Sequence, residues 1–279
     1  MAGRSERFTT VSLDGVRLHA LHWGEGRPRK LILLHGGGAN AHWWDHVAPA
    51  LAEHFHVVAL DFRGHGDSDY PEETRIGAWS DDLDALLEHV VSGPFAVMGH
   101  SMGGAIALEH AAIRNDVSAL VAVDVSRGAA PRSRRAARLA LALRRSYESR
   151  EEAVRRYRFL PSSAHASEAI RRHIADHSVR EEEGGRFGFK FDPRWFGLPP
   201  RPRPDLARVR CPTLVVRGSE SPMLTPEGAD ELLAELPDAS AVVIGGAGHH
   251  VHLDQPAAFL AAVLPFLTGI LVGLRKEVP

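Results

Sequence analysis

The sequence predicts an α/β protein: a mostly parallel sheet with helices on both faces and one helical insertion. Three observations carry that expectation. Short apolar runs alternate with helical stretches through the first half of the chain, the pattern of parallel strands linked by crossover helices. Two more apolar runs come late. Between them lies a long stretch from 127 to about 208 whose first part has no strand-like run.

The elements follow in order. Strands are expected at 17–23, 30–34, 57–61, 95–99 and 120–125, then at 213–217 and 241–244. Residues 81–91 start acidic and carry Leu83, Leu86, Leu87 and Val90 at helical spacing. Residues 102–113 are rich in Ala and Gly, which suits a helix packed closely on a sheet. From 127 to 158 there are eleven Arg against three acidic residues, and Arg138, Leu139, Leu141, Leu143, Tyr147, Val154 and Tyr157 suggest two amphipathic helices. Glu181 to Gly185 reads as a solvated turn, followed by the aromatics Phe187, Phe189, Phe191, Trp195 and Phe196 and a Pro/Arg linker at 199–204. The expected organisation is one core from 1–126 and 209–279 with an insertion at 127–208. No internal repeat or low-complexity tract is present.

Composition excludes several classes. With 44% hydrophobic residues and a net charge of −2, the chain is too apolar and too neutral to be disordered, and has no broad attraction for nucleic acid. One cysteine, Cys211, excludes a disulfide scaffold and fits a reducing, cytoplasmic location. The N-terminal residues show no apolar signal segment. Residues 256–274 carry no charge, which raises the question of a membrane span. Pro256, Pro265, Gly269 and Gly273 favour a buried terminal helix instead, so no stable span is expected.

The chemistry centres on Gly99-His100-Ser101-Met102-Gly103. It follows an apolar run and opens a helical one, so Ser101 is expected at a sharp strand-to-helix turn with its hydroxyl above the sheet. A serine hydroxyl is a weak nucleophile without a base. The chain has 17 histidines, so position must decide. Gly245-Gly246-Ala247-Gly248-His249-His250 follows the last strand-like run, and His249 is the favoured base, with His250 and His252 as alternatives. His35-Gly36-Gly37-Gly38 ends an earlier run, and the Gly37 and Met102 N–H groups are the candidate oxyanion donors. The stretch from Asp61 to Ser68 reads as a structural turn from which His65 can line the site. Trp44, His100, Phe159 and Trp195 are the candidate substrate-binding residues. The Arg excess suits an anionic substrate or simply a solvated helical face. No metal-ligand motif is met, so neither metal nor cofactor is expected. The expected partner is a small molecule, and a homodimer is compatible with the sequence.

The motifs LLHGGG, DFRGHGDS, GHSMGG and GAGHHVHLDQP, in that order, resemble the α/β-hydrolase superfamily over nearly the whole chain. The resemblance implies an eight-stranded sheet, a variable cap made by the insertion, and a Ser–acid–His triad. Many members carry the acid in a G-x-x-D pattern after the strand at 213–217. Here that stretch is Gly218-Ser219-Glu220-Ser221-Pro222, and Ser221 stands where the Asp would be. Asp124, at the end of the strand after the nucleophile helix, is the favoured acid, as in some small bacterial esterases; Glu220 is the alternative. The activity implied is hydrolysis of a carboxylic ester, thioester or lactone through an acyl-enzyme. C–C bond hydrolysis on the same residues, lyase or cofactor-free oxygenase chemistry on the same scaffold, and a non-catalytic ligand-binding protein are the competing expectations.

Overall fold

The computed structural model describes residues 4–10, 15–73, 75–129, 139, 143, 145–162, 165–199 and 202–273. Its strands are β1 (Arg4–Thr10), β2 (Arg17–Trp23), β3 (Lys30–Leu34), β4 (His56–Leu60), β5 (Phe95–His100), β6 (Val117–Val123), β7 (Ser146–Tyr147), β8 (Val179–Glu182), β9 (Arg186–Phe189), β10 (Thr213–Gly218) and β11 (Ala239–Ile244). Eight of them form one sheet in the order β1-β2-β4-β3-β5-β6-β10-β11. All pairings from β4 through β11 are parallel, and the β1–β2 and β2–β4 pairings are antiparallel.

The central strands are buried on both faces, which is why they read as continuous apolar runs and not as alternation. On β3 and β4, Ile32, Leu34, Val58 and Leu60 enter one core, and Leu31, Leu33, Val57 and Ala59 enter the other. This two-residue period is the strand's own geometry. The helices Ala78–Val90 and Met102–Ile113 cover the first face through Leu83, Leu86, Ile106 and Ala107. The helix Pro256–Gly273 covers the second with Phe259, Val263 and Leu267, four residues apart on one stripe. Full burial of each of these side chains contributes about 1.5–3 kcal/mol, which accounts for the apolar terminal helix. Among the described residues no helix is long and apolar enough to cross a membrane. Leu274 lies outside the described residues.

Between β6 and β10 the structure contains the helix Arg150–Arg156, within the expected helical stretch, and a second helix, Glu168–His177, beyond it, which the sequence pattern did not single out. Each is capped by a serine, Ser149 and Ser167, that accepts a backbone N–H. Beside them is a three-stranded antiparallel sheet, β7-β9-β8. Phe187 and Phe189 flank Gly188 in β9, and Tyr147 pairs opposite Phe187. The alternation of aromatics at 187 and 189 is thus a strand period, and Tyr147 lies in a strand, not a helix. Arg138 and Leu141 lie outside the described residues. The insertion seats on the core through a third apolar cluster, in which Phe159, Ala166 and Ile174 meet Ala39, Trp43 and Leu253.

Candidate active site

Ser101 sits between β5 and the helix Met102–Ile113 with φ 51° and ψ −111°. A non-glycine residue at positive φ is strained and persists only where its surroundings hold it. Here Ser101 N–H donates to Val123 O (2.9 Å) and Ala105 N–H donates to Ser101 O (3.0 Å). The turn also needs the helix close to β3: a Cβ on Gly103 would lie 2.4 Å from Leu34 O. Met102 is the first helical residue, so its N–H is one of those an α-helix leaves without an intrahelical acceptor.

The loop after β11 carries His249 back over the sheet. Gly248 N–H donates to Asp254 Oδ2 (2.8 Å) and Gln255 Nε2 donates to Gly246 O (2.9 Å), which fixes the loop from the short helix that follows it. His249 Nε2 lies 3.0 Å from Ser101 Oγ, and His249 Nδ1 lies 2.8 Å from Asp124 Oδ1. Asp124 follows β6, also at positive φ (47°), and is fully buried. Its Oδ2 accepts from Gly218 N–H (2.9 Å), and its Oδ1 accepts from the Ser221 hydroxyl. Ser221 Oγ in turn accepts from the Met223 and Leu224 N–H groups. Glu220 points elsewhere: its carboxylate meets His165 Nε2 at 2.7 Å on the surface. A hydroxyl, an imidazole and a buried carboxylate in one hydrogen-bonded chain is the arrangement that moves a proton off the hydroxyl.

The glycine loop after β3 crosses beside the serine; a Cβ on Gly36 would lie 2.7 Å from His100 Nδ1 and 3.4 Å from Ser101 Cβ. Two buried histidines hold that loop. His35 Nδ1–H donates to Gly36 O (2.8 Å) while its Nε2 accepts from Phe62 N–H (3.2 Å). His65 Nε2 accepts from Gly38 N–H (3.3 Å). Acceptance requires neutral rings, and burial lowers both pKa values, that of His65 to about 3.

The candidate substrate-binding residues divide. Trp44 is fully buried in the lower core, stacked on His252 at 4.4 Å, and this corrects its expected place in the substrate wall. The 3-10 helix Ala41–Trp44 turns adjacent side chains in different directions, so Trp43, not Trp44, faces the insertion. His100 is also corrected: it is buried, and its Nε2–H donates to His249 O (2.9 Å), so it props the His249 backbone. Trp195 is sealed against Gly64 and Trp79 as packing between insertion and core. Phe159 stands edge-on to Trp43 (5.2 Å) and beside His250 (5.4 Å). His250 Nε2–H donates to Pro161 O (2.9 Å), so it supports the insertion and does not reach Ser101.

His100, His249 and His250 offer ring nitrogens within 4.8 Å of one another. The Nε2 of His100 and of His250 and both ring nitrogens of His249 already have the partners described above, so a metal there would compete with the chain of bonds to Ser101. A small cavity of about 30 Å³ borders Gly37, Gly38 and Trp43 and is closed by Tyr157 and Leu160. It shares Leu143, Arg145, Phe189 and Phe191 with an open cleft of about 810 Å³ that also contains Arg180. Neither lining includes Ser101; the smaller one reaches the glycine loop next to it. The Arg180 guanidinium lies 3.6 Å over the Tyr70 ring, a cation–π contact that fixes its position.

Comparison with known proteins shows the same architecture. Residues 31–263 match the family model described as the alpha/beta hydrolase family. The chain is 31% identical to an esterase of Mycobacterium tuberculosis, over 88% of this chain and 85% of that protein. It is 29% identical to a 2-hydroxy-6-oxo-6-(2'-aminophenyl)hexa-2,4-dienoic acid hydrolase of Metapseudomonas resinovorans, over 94% of this chain and 91% of that one. The crystal structure of an alpha/beta hydrolase from Novosphingobium aromaticivorans superposes with a TM-score of 0.81 at 26% identity, covering 96% of this chain and 99% of that chain.

Proposed function

The chain belongs to the alpha/beta hydrolase family, and from that premise we propose that it is a serine hydrolase that cleaves a carboxylic ester through a covalent acyl-enzyme. The observation that carries this reading is the unbroken chain from Ser101 Oγ through His249 to Asp124, at 3.0 and 2.8 Å. His249 Nε2 takes the Ser101 proton as Oγ attacks the ester carbonyl carbon. The Gly37 and Met102 N–H groups hold the resulting oxyanion, each contributing about 2.7–4 kcal/mol of transition-state stabilisation. Asp124 accepts from His249 Nδ1–H and stabilises the imidazolium. His249 then gives its proton to the leaving alkoxide, and the C–O bond breaks. Water, deprotonated by His249, attacks the acyl carbon; the acyl C–Oγ bond breaks as the imidazolium returns that proton to Ser101 Oγ, and the carboxylic acid leaves. In this reading residues 127–208 act as the cap that shapes the acyl site, and the single buried cysteine suits a cytoplasmic location.

A second reading is favoured by one observation. Arg145 lines the small cavity at the glycine loop and the wider cleft beyond it, where Arg180 sits among Glu72, Glu181, Glu182, Glu183 and Asp192; Arg145 suits a substrate carrying a carboxylate, and one relative is named as a hydrolase of a dienoic acid. C–C bond hydrolysis would use the same serine, histidine and oxyanion donors. Turnover of short p-nitrophenyl esters by the wild type and by Ser101→Ala tests the first reading. Hydrolysis lost in the variant supports it; full turnover without the Ser101 hydroxyl overturns it.

A further inference from the structure

At the 3-10 helix Ala41–Trp44, four ligand-type side chains converge from two parts of the chain. His173 and His177 are one turn apart on the insertion helix Glu168–His177, so they share a face. His42 lies in the core 3-10 helix Ala41–Trp44, and Asp45 ends it. One ligand atom from each of the four lies within 4.8 Å of all the others. From this geometry we propose that His42, Asp45, His173 and His177 form a zinc site that ties the insertion to the core turn following the glycine loop.

The donor set is the first argument. Three imidazole nitrogens and one carboxylate oxygen make a four-coordinate site of the kind zinc prefers, with bonds of about 2.0–2.1 Å. Tetrahedral donors at that bond length sit about 3.4 Å apart, so side-chain rotation draws the four atoms together on binding. The second argument is that the site already gathers its donors around one carboxylate, with lone pairs free on His177 and on Asp45 Oδ1. His177 Nδ1–H donates to His173 O (2.9 Å), which leaves its Nε2 as the free acceptor and orients the ring. The His42 and His177 rings are 4.0 Å apart and those of His173 and His177 4.3 Å apart. His42 Nδ1–H and His173 Nε2–H donate to Asp45 Oδ2 (2.9 and 2.7 Å), and zinc takes these positions as those protons leave; the buried Asp45 Oδ1 has no hydrogen-bond partner. The third is access: the His173 side chain is 38% exposed, so an ion can enter from solvent.

One neighbour opposes the metal. Arg4 Nη1 donates to Asp45 Oδ2 (3.1 Å) and lies 3.4 Å from His42 Nδ1. The guanidinium is a positive charge at the edge of the site, and zinc binding turns it outward. A bound ion then reinforces the Asn40 Nδ2–Ser178 Oγ hydrogen bond (3.0 Å), which already joins the same two segments. Because zinc binds the folded arrangement, it raises thermal stability by mass action.

The test uses the full chain, stripped with a chelator and titrated with zinc sulfate by calorimetry, with melting temperature as a second readout. The wild type is expected to take one zinc at this site and to melt higher with it. H173A/H177A is expected to lose affinity by more than the roughly 10–100-fold that outer-shell changes cost, and to lose the rise in melting temperature. R4Q keeps all four ligands and is expected to bind zinc several-fold tighter. No zinc uptake by the wild type, or uptake unchanged in H173A/H177A, would overturn the proposal; in the second case loss of uptake in H249A would place the metal on the catalytic rings. Unchanged affinity in R4Q would also overturn it.

Discussion

The Ser221 hydroxyl donates to Asp124 Oδ1, the same carboxylate oxygen that meets His249 Nδ1 at 2.8 Å. The residue at the G-x-x-D position therefore holds the carboxylate that, in the proposed triad, comes from the end of β6. A hydrogen bond to a charged group contributes about 1.5–3 kcal/mol. Ser221→Ala is expected to lower kcat/KM by about one to two orders of magnitude with the fold intact, read by ester hydrolysis beside a melting curve.

Asp124 and Glu220 are separated by the same geometry. Glu220 bonds His165 on the surface, and Asp124 bonds His249 in the interior. Asp124→Asn is expected to lower kcat by about 10⁴-fold, as loss of a triad carboxylate does, while Glu220→Gln stays within about twofold of wild type. Steady-state kinetics of the two variants, measured in parallel, decide the matter; the reverse ranking would move the acid.

The two adjacent tryptophans separate stability from binding. Trp44 is fully buried in the lower core, and Trp43 faces the cavity beside Gly37. Trp44→Ala is expected to cost about 3–5 kcal/mol of stability, read by urea denaturation. Trp43→Leu is expected to raise KM for bulky acyl esters more than it lowers the unfolding midpoint.

Acid should unfold the protein through its neutral histidines. Burial is the main cause that lowers His65 and His250 to about 3 and His46 to about 4. The unfolded chain takes up these protons near pH 6.5 and the folded chain does not. Stability is therefore complete above that pH and falls from about 6.5 down to about 4 for His46 and about 3 for His65 and His250, by up to about 1.4 kcal/mol per pH unit for each ring. Denaturant midpoints measured from pH 7.5 to 4.5 should decline steadily. His65→Gln, which keeps an acceptor for Gly38 N–H, should make that decline shallower.

The arginine cleft bears on substrate choice. If a carboxylate is held by Arg145, R145Q should raise KM at least tenfold for carboxylated esters and leave neutral esters within about twofold. An equal effect on both substrate sets would remove the cleft from substrate recognition.

Much of this was legible in the sequence for identifiable reasons. β3 and β5 are buried on both faces, and the Gly-rich helix start needs the close approach seen at Gly103. Ser101, Asp124 and His249 lie in three separate segments, and each stands at the C-terminal end of a strand or in the loop that follows one. The misses have physical causes as well. β1 is an edge strand whose charged residues Arg4, Glu6 and Arg7 hide its pattern. β7 has two residues, too few for any period to show. Which of Trp43 and Trp44 faces the cavity depends on the 3-10 turn, and no apolar count distinguishes them. Ser221 was visible as a substitution, but its bond to Asp124 depends on the adjacency of β6 and β10.

The most direct measurement is covalent labelling with a fluorophosphonate, read by intact mass and peptide mapping, in wild type and His249→Ala. The account predicts one adduct per chain on Ser101 and a labelling rate lower by at least about a thousandfold without the imidazole. Active wild-type protein that takes up no label, or that carries it at a residue other than Ser101, would contradict it.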